Sequence, residues 1–173
     1  DAILSLREAD ITAFDSGAVY IYAGGPDGLD PEPVRVISSQ NRRTYLGRSA
    51  AVHDLNDDGL VDLLVGADAA DIGATDNGLV QVFMGVDGQF FEANPSVELP
   101  GVFGYDRAGY GVTACDFNGD GFEDIASTAL YGEDRDLDDF PAGQGAINIF
   151  LGSEDGFSAE PHHSVYGMVP DGE

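Results

Sequence analysis

Two stretches hold the residues whose types and spacing could do chemistry: HDLNDDGLVDLLVGA from His53 to Ala67, and CDFNGDGFEDIASTA from Cys115 to Ala129. Each sets oxygen-bearing side chains at alternate positions around a glycine. They are Asp54, Asn56, Asp58 and Asp62 in the first stretch, and Asp116, Asn118, Asp120 and Asp124 in the second. A hard cation such as Ca²⁺ takes about six to eight oxygens at roughly 2.3 to 2.6 Å. A loop curled round the ion can offer its residues 1, 3, 5 and 9, and the backbone carbonyl of residue 7. Those carbonyls would belong to Leu60 and Phe122, with Gly59 and Gly121 permitting the tight turn. An EF-hand is excluded, because its bidentate glutamate at position 12 is replaced by Val65 in one copy and Ser127 in the other. A metal-free surface turn is the plain alternative, but glycine and the acid at position 9 recur together, which favours a ligand loop.

The flanking residues say what positions these loops. GRSAAVH from Gly47 and GYGVTAC from Gly109 precede them, and DLLVGA from Asp62 and DIASTA from Asp124 follow. Short apolar runs bounded by Gly and Asp read as strands, since an amphipathic helix needs a longer face of ~3.6-residue period. Each loop therefore joins two strands.

The pattern repeats along the chain. Asp62 leads after sixteen positions to Gly78 and after seven more to Gly85, and the same steps lead from Asp1 to Gly17 and Gly24. In the third copy Asp124 reaches Gly145 and then Gly152. Asp1 is thus the counterpart of Asp62 and a residual metal ligand. The third strand of each unit alternates Val19 and Ile21, Val80 and Val82, or Ile147 and Ile149 with Tyr, Gln, Asn or Phe. Alternation with apolar residues on both faces suits a strand packed between neighbouring sheets. Asp-Gly follows at Asp27–Gly28, Asp87–Gly88 and Asp155–Gly156, predicting primed hairpin turns with positive φ at both residues. Fourth strands are expected at Val34–Ile37, Val97–Leu99 and Ser164–Tyr166. A repeat of about 60 residues built from four antiparallel strands predicts propeller blades.

At this point the unit resembles the FG-GAP repeat of integrin alpha-subunit propellers and their bacterial relatives. Leu46–Gly47 and Ala108–Gly109 stand at the FG position, the two DxNxDGxxD loops follow seven residues later, and Gly66, Ala67 and Asp68 occupy the GAP position. Thr128, Ala129 and Leu130 depart from GAP in the third copy, and neither FG position carries Phe. The resemblance covers nearly the whole chain. It implies an all-β propeller, commonly seven-bladed in that family, with structural Ca²⁺ between the first and second strands of a blade.

The blades expected are 1–45, lacking its first strand, 46–107 and 108–173. Three blades are too few to close a ring, which takes about four to eight. The expected partners are therefore further blades, from the same longer polypeptide or from other chains.

Composition narrows the function. The 173 residues carry 32 Asp and Glu against seven basic residues, all Arg, for a net charge of −25. Two Ca²⁺ ions would raise that only to −21, so most of the acidity is solvated surface. Such a charge repels polyanions, making nucleic acid a poor partner. No apolar run approaches the ~20 residues of a membrane helix, so no membrane insertion is expected. The absence of Trp excludes WD-type blades. The single Cys115 permits no intrachain disulfide and is expected to be a small buried strand residue. Ca²⁺ loops fill readily at the free Ca²⁺ found outside cells, which points to an extracellular, cell-surface or periplasmic location.

No catalytic constellation emerges, because the carboxylates with recognisable spacing already belong to the cation loops. Between its second and third strands the third repeat is five residues longer than the others and contains Glu133, Asp134, Asp136, Asp138 and Asp139. That loop should lie at the end of the blade away from the Ca²⁺ loops, where it is either solvated surface or a docking site for a protein or glycan. The sequence thus predicts a non-catalytic module for adhesion, assembly or glycan binding. The alternative is a substrate-positioning domain of a larger secreted hydrolase or lyase.

Overall fold

A computed structural model describes residues 1–132 and 144–167. Among these the secondary structure is entirely strand and turn. In chain order the strands are β1 (Ala2–Leu6), β2 (Ala18–Tyr22), β3 (Gly24–Gly25), β4 (Gly28–Leu29), β5 (Arg35–Ser38), β6 (Leu46–His53), β7 (Asp62–Ala67) and β8 (Leu79–Phe83). There follow β9 (Gly85–Val86), β10 (Phe90–Phe91), β11 (Val97–Pro100), β12 (Ala108–Cys115), β13 (Asp124–Ala129), β14 (Ala146–Phe150) and β15 (His163–Tyr166).

Three antiparallel sheets result, β1-β2-β5, then β6-β7-β8-β11, then β12-β13-β14-β15, with β3-β4 and β9-β10 as small ribbons. The expected fourth strands are present as β5, β11 and β15. Consecutive sheets are stitched by parallel bridges, Gly17 to Leu46 and Gly78 to Ala108. The register of β6 on β7 jumps from Leu46–Ala67 to Ser49–Gly66, and that of β12 on β13 from Ala108–Ala129 to Gly111–Thr128. Gly47 and Gly109 sit in these irregularities with φ of 85° and 80°, a region costly for residues with a Cβ.

The core lies between sheets. Leu63, Val65 and Phe83 of the second sheet meet Val19, Ile21 and Ile37 of the first. From the opposite face of the second sheet, Leu64, Val80 and Val82 meet Ile125 and Phe150 of the third. Because both of its faces are covered, every residue of β7 is buried. The outer flanks differ. Leu4, Leu6 and Val36 on the first sheet and Ile147 and Val165 on the third are between 41% and 48% exposed.

Two expectations are corrected. Gly28, Gly88 and Gly156 have positive φ, but Asp27, Asp87 and Asp155 do not, so these turns are not the primed type with both residues left-handed. In the first, Gly25 pairs with Gly28 around Pro26 and Asp27; proline's fixed φ suits the first corner of an ordinary turn. Cys115 is exposed, not buried. It is the last residue of β12, and strand alternation gives the inward position to Ala114, which is only 7% exposed.

Candidate metal centre

Both DxNxDGxxD segments are the turns that join first and second strands, β6 to β7 and β12 to β13. The backbone of each is gathered round its own carboxylates. Asp54 accepts the amides of Asp58 at 3.1 Å and Gly59 at 2.9 Å, while Asn56 Oδ1 accepts Asp58 N at 3.2 Å. Asp58 accepts the amide of Leu60 at 2.8 Å and the side-chain amide of Asn56 at 3.0 Å. The second loop repeats this. Asp116 accepts Gly119, Asp120 and Gly121, Asn118 accepts Asp120, and Asp120 accepts Phe122. Asp and Asn favour such local turns because a short side chain can reach amides a few residues on.

The glycine at position 6 is left-handed in both loops, with φ of 84° at Gly59 and 94° at Gly121. Position 4 is left-handed too, at Asp57 (57°) and Gly119 (79°). That second kink is not among the sequence expectations. Its signal is the interchange of Asp and Gly at one position, since both types tolerate this conformation better than most.

Asp62 and Asp124 behave differently from the other acids, being fully buried. Asp62 accepts Leu55 N at 2.8 Å on one oxygen and Gly85 N at 2.7 Å on the other. Asp124 accepts Phe117 N and Gly152 N, both at 2.9 Å. Asp1 accepts Gly24 N at 2.8 Å, the same contact one repeat earlier.

These environments pull the carboxyls in opposite directions. Burial pushes Asp62 above its ordinary value of 3.8, an effect opposed by the amides of Gly85 and Leu55 and reinforced by the nearby charges of Asp58 and Asp54. Asp116 is held below that value, chiefly by the amide of Gly121, with further help from Gly119, Asp120 and Asn118.

The two loops are neighbours. His53 Nδ1, just before the first loop, lies 3.4 Å from Glu123 Oε2 in the second, an ion pair when the imidazole is protonated. A pocket of about 220 Å³ between them is lined by Asn56, Asp57, Phe122 and Glu123. Leu55 is buried between the second and third sheets, whereas Phe117, its counterpart, has no sheet packed beyond it among the described residues and is 48% exposed.

Donor chemistry fits a hard cation. Each loop offers three carboxylates, one amide oxygen and a backbone carbonyl, and a carboxylate oxygen that accepts one amide still has acceptor capacity. Among the described residues, however, no three His, Cys, Asp or Glu side chains converge as a metal cluster. The loops are held closed here by their own amides. The acidic segment with Glu133, Asp134, Asp136, Asp138 and Asp139 lies outside the described residues. Among those described, no helix is long and apolar enough to cross a membrane.

Comparison with known proteins agrees with the register of the sheets. The FG-GAP repeat family model matches residues 46–83 and 108–147, beginning at β6 and β12. The chain is 35% identical over 147 residues to integrin alpha-IIb of Mus musculus, covering 82% of this chain and 14% of that protein. It is 33% identical over 173 residues to integrin alpha-5 of Xenopus laevis, covering 97% of this chain and 15% of that one. Integrin alpha-PS5 of Drosophila melanogaster is 31% identical over 161 residues, 92% of this chain and 15% of the relative. The chain therefore spans about one seventh of the length of these curated relatives. With FG-GAP matches starting at the first strand of the second and third sheets, the chain belongs to the FG-GAP repeat family, whose repeats form the blades of β-propellers.

Proposed function

We infer that this chain is a Ca²⁺-stabilised propeller module that acts outside the cell in adhesion or assembly, without catalysis. The observation that carries the reading is the repetition of one oxygen set, Asp54, Asn56, Asp58, Leu60 and Asp62, as Asp116, Asn118, Asp120, Phe122 and Asp124, on the same turn of two sheets. A cation held there would rigidify the turn between the first and second strands, and so the inner edge of each blade. Similarity to integrin alpha subunits supports adhesion or assembly as the use of such a module. The uncovered apolar flanks, Leu4 and Val36 on one side and Ile147 and Val165 on the other, support further blades as neighbours.

Ca²⁺ titration by calorimetry tests this reading. Two saturable sites are expected, one lost in Asp58→Ala and the other in Asp120→Ala. Absence of heat and of any thermal stabilisation by Ca²⁺ would refute it.

A further inference from the structure

We propose that Arg48, between Arg7 and Arg107, receives a single acidic side chain presented by a protein partner. In a chain with seven Arg, no Lys and a net charge of −25, these three arginines line one pocket of about 280 Å³. The pocket lies at the ends of the strands away from the cation loops, just after β7 and just before β12, and does not rest on the Ca²⁺ reading.

Two of the three arginines are already matched. Arg7 donates to Glu8 at 2.9 Å, and its Nε lies 3.6 Å from Asp68, which is only 1% exposed. Arg107 reaches Asp68 at 3.4 Å and Asp76 at 3.3 Å. Arg48 is the exception. Among the described residues it has no carboxylate partner, and its buried Nε, like that of Arg7, has no hydrogen-bond acceptor. Its guanidinium lies on the Tyr110 ring, 3.6 Å from the centroid, which fixes the plane of the fork. A buried donor without an acceptor is costly, and a planar fork matches a carboxylate in two-point contact.

Size and charge select the ligand. Asp68 in the lining disfavours a ligand with more than one negative charge, and the field of the whole chain repels polyanions. A singly charged carboxylate suits both conditions. Leu130 and Tyr131, 37% and 50% exposed, give the rim an apolar wall for the methylene stem of an acidic side chain.

The test is an NMR titration of the full chain in Ca²⁺, following Arg48 Nε–H and the Tyr110 ring. The probes are the blocked peptide acetyl-Gly-Glu-Gly-amide, its Gln counterpart, sodium acetate and inorganic phosphate. Saturable shifts are expected with the Glu peptide, weaker ones with acetate and none with the Gln peptide. Arg48→Gln should weaken Glu-peptide binding roughly tenfold or more, the scale of one charge-assisted pair. Arg48→Lys, which keeps the charge and loses the fork, should also weaken it and serves if the Gln variant does not fold. Equal response to the Gln peptide or to phosphate overturns the proposal, as does unchanged affinity in both variants or no saturable shift up to the solubility of the peptide. Ca²⁺ binding is read separately, by calorimetry with Ca²⁺ alone, so failure here and failure of the Ca²⁺ reading are told apart.

Discussion

Asp62 Oδ1 accepts the backbone amide of Gly85 at 2.7 Å, tying the start of β7 to the chain just after β8, where β9 begins. The pair recurs as Asp1 with Gly24 at 2.8 Å and Asp124 with Gly152 at 2.9 Å. Three sheets thus share one pin at the same corner. The last acid of each DxNxDGxxD loop has a structural role of its own, because its second oxygen also holds the loop's backbone at Leu55 or Phe117.

Glycine is required on the other side of the pin. A Cβ at Gly85 would stand 2.6 Å from Val61 O and 2.8 Å from Leu60 Cβ. Gly85→Ala is therefore expected to destabilise by about 1–3 kcal/mol through overpacking. Asp62→Ala should cost at least as much, since it strands two amides, each worth about 1–3 kcal/mol when left buried and unpaired. Urea unfolding at fixed Ca²⁺ reads both, as lower midpoints with an unchanged slope. The double variant should cost less than the sum, because the two substitutions remove one contact. Strict additivity would show that Asp62 and Gly85 act separately.

Chelation should act through the loops. A site at a hundredfold excess of Ca²⁺ over its Kd stabilises by about 2.7 kcal/mol. For a domain of this size that is roughly 5 to 10 °C of Tm per site. EGTA is expected to lower the melting temperature accordingly, with Asp58→Ala and Asp120→Ala each removing part of the response. A melt indifferent to EGTA would remove Ca²⁺ from the account.

Much of this was legible in residue spacing. Asp1, Asp62 and Asp124 align by repeat, and each has its glycine partner seven residues after the glycine that precedes the third strand, Gly17, Gly78 or Gly145, so the pins follow from the register once the longer third repeat is allowed for. The strand-joining place of both loops follows from the short apolar runs around them. Burial was less legible, because it depends on which sheet faces which. Leu55 and Phe117 hold the same place in the repeat, yet among the described residues only Leu55 has a sheet on its outer side. Cys115 was misplaced because one residue at a strand end decides between in and out. The arginine pocket was also missed, although its signal lies in the repeats. Tyr45 and Arg107 are counterparts, as are Arg48 and Tyr110, so ring and guanidinium exchange places from one repeat to the next. The contacts they make, Arg7 on Tyr45 and Arg48 on Tyr110, cross between elements and cannot be read from spacing.

Acid titration of the Ca²⁺-free protein should separate two carboxyls in opposite senses. Asp62 is raised by burial, so its contribution to folding is present below the unfolded pKa and is lost as pH rises through the folded one. Asp116 is lowered by the Gly121 amide, so its contribution is present above the unfolded pKa and is lost as pH falls through the folded one. Carboxyl ¹³C NMR in EGTA should find Asp62 titrating above Asp116. Ca²⁺ should then shift Asp62 downward, since a nearby cation favours the ionised form. The reverse order in the Ca²⁺-free protein would contradict the burial argument.

Gly66 and Gly109 join the second and third sheets backbone to backbone. A Cβ on Gly66 would run into the carbonyl oxygen of Gly109, which already accepts a hydrogen bond from Ser49 Oγ at 2.9 Å. On the other side, a Cβ on Gly109 would stand 3.0 Å from Gly66 Cα. The corresponding residue of the third sheet is Thr128, exposed, with no sheet packed on it among the described residues. Glycine at the GAP position is thus required where the backbone of the neighbouring blade stands against that face, as it does between the second and third sheets. Gly66→Ala is expected to destabilise by about 1–3 kcal/mol, because the obstructing atom is backbone and cannot rotate away. Thr128→Gly should change stability far less, by about 1 kcal/mol, mostly the propensity cost of glycine in a strand. Thermal melts of the two variants at equal Ca²⁺ measure the contrast, and similar losses would mean that the glycine serves the strand itself and not the contact between blades.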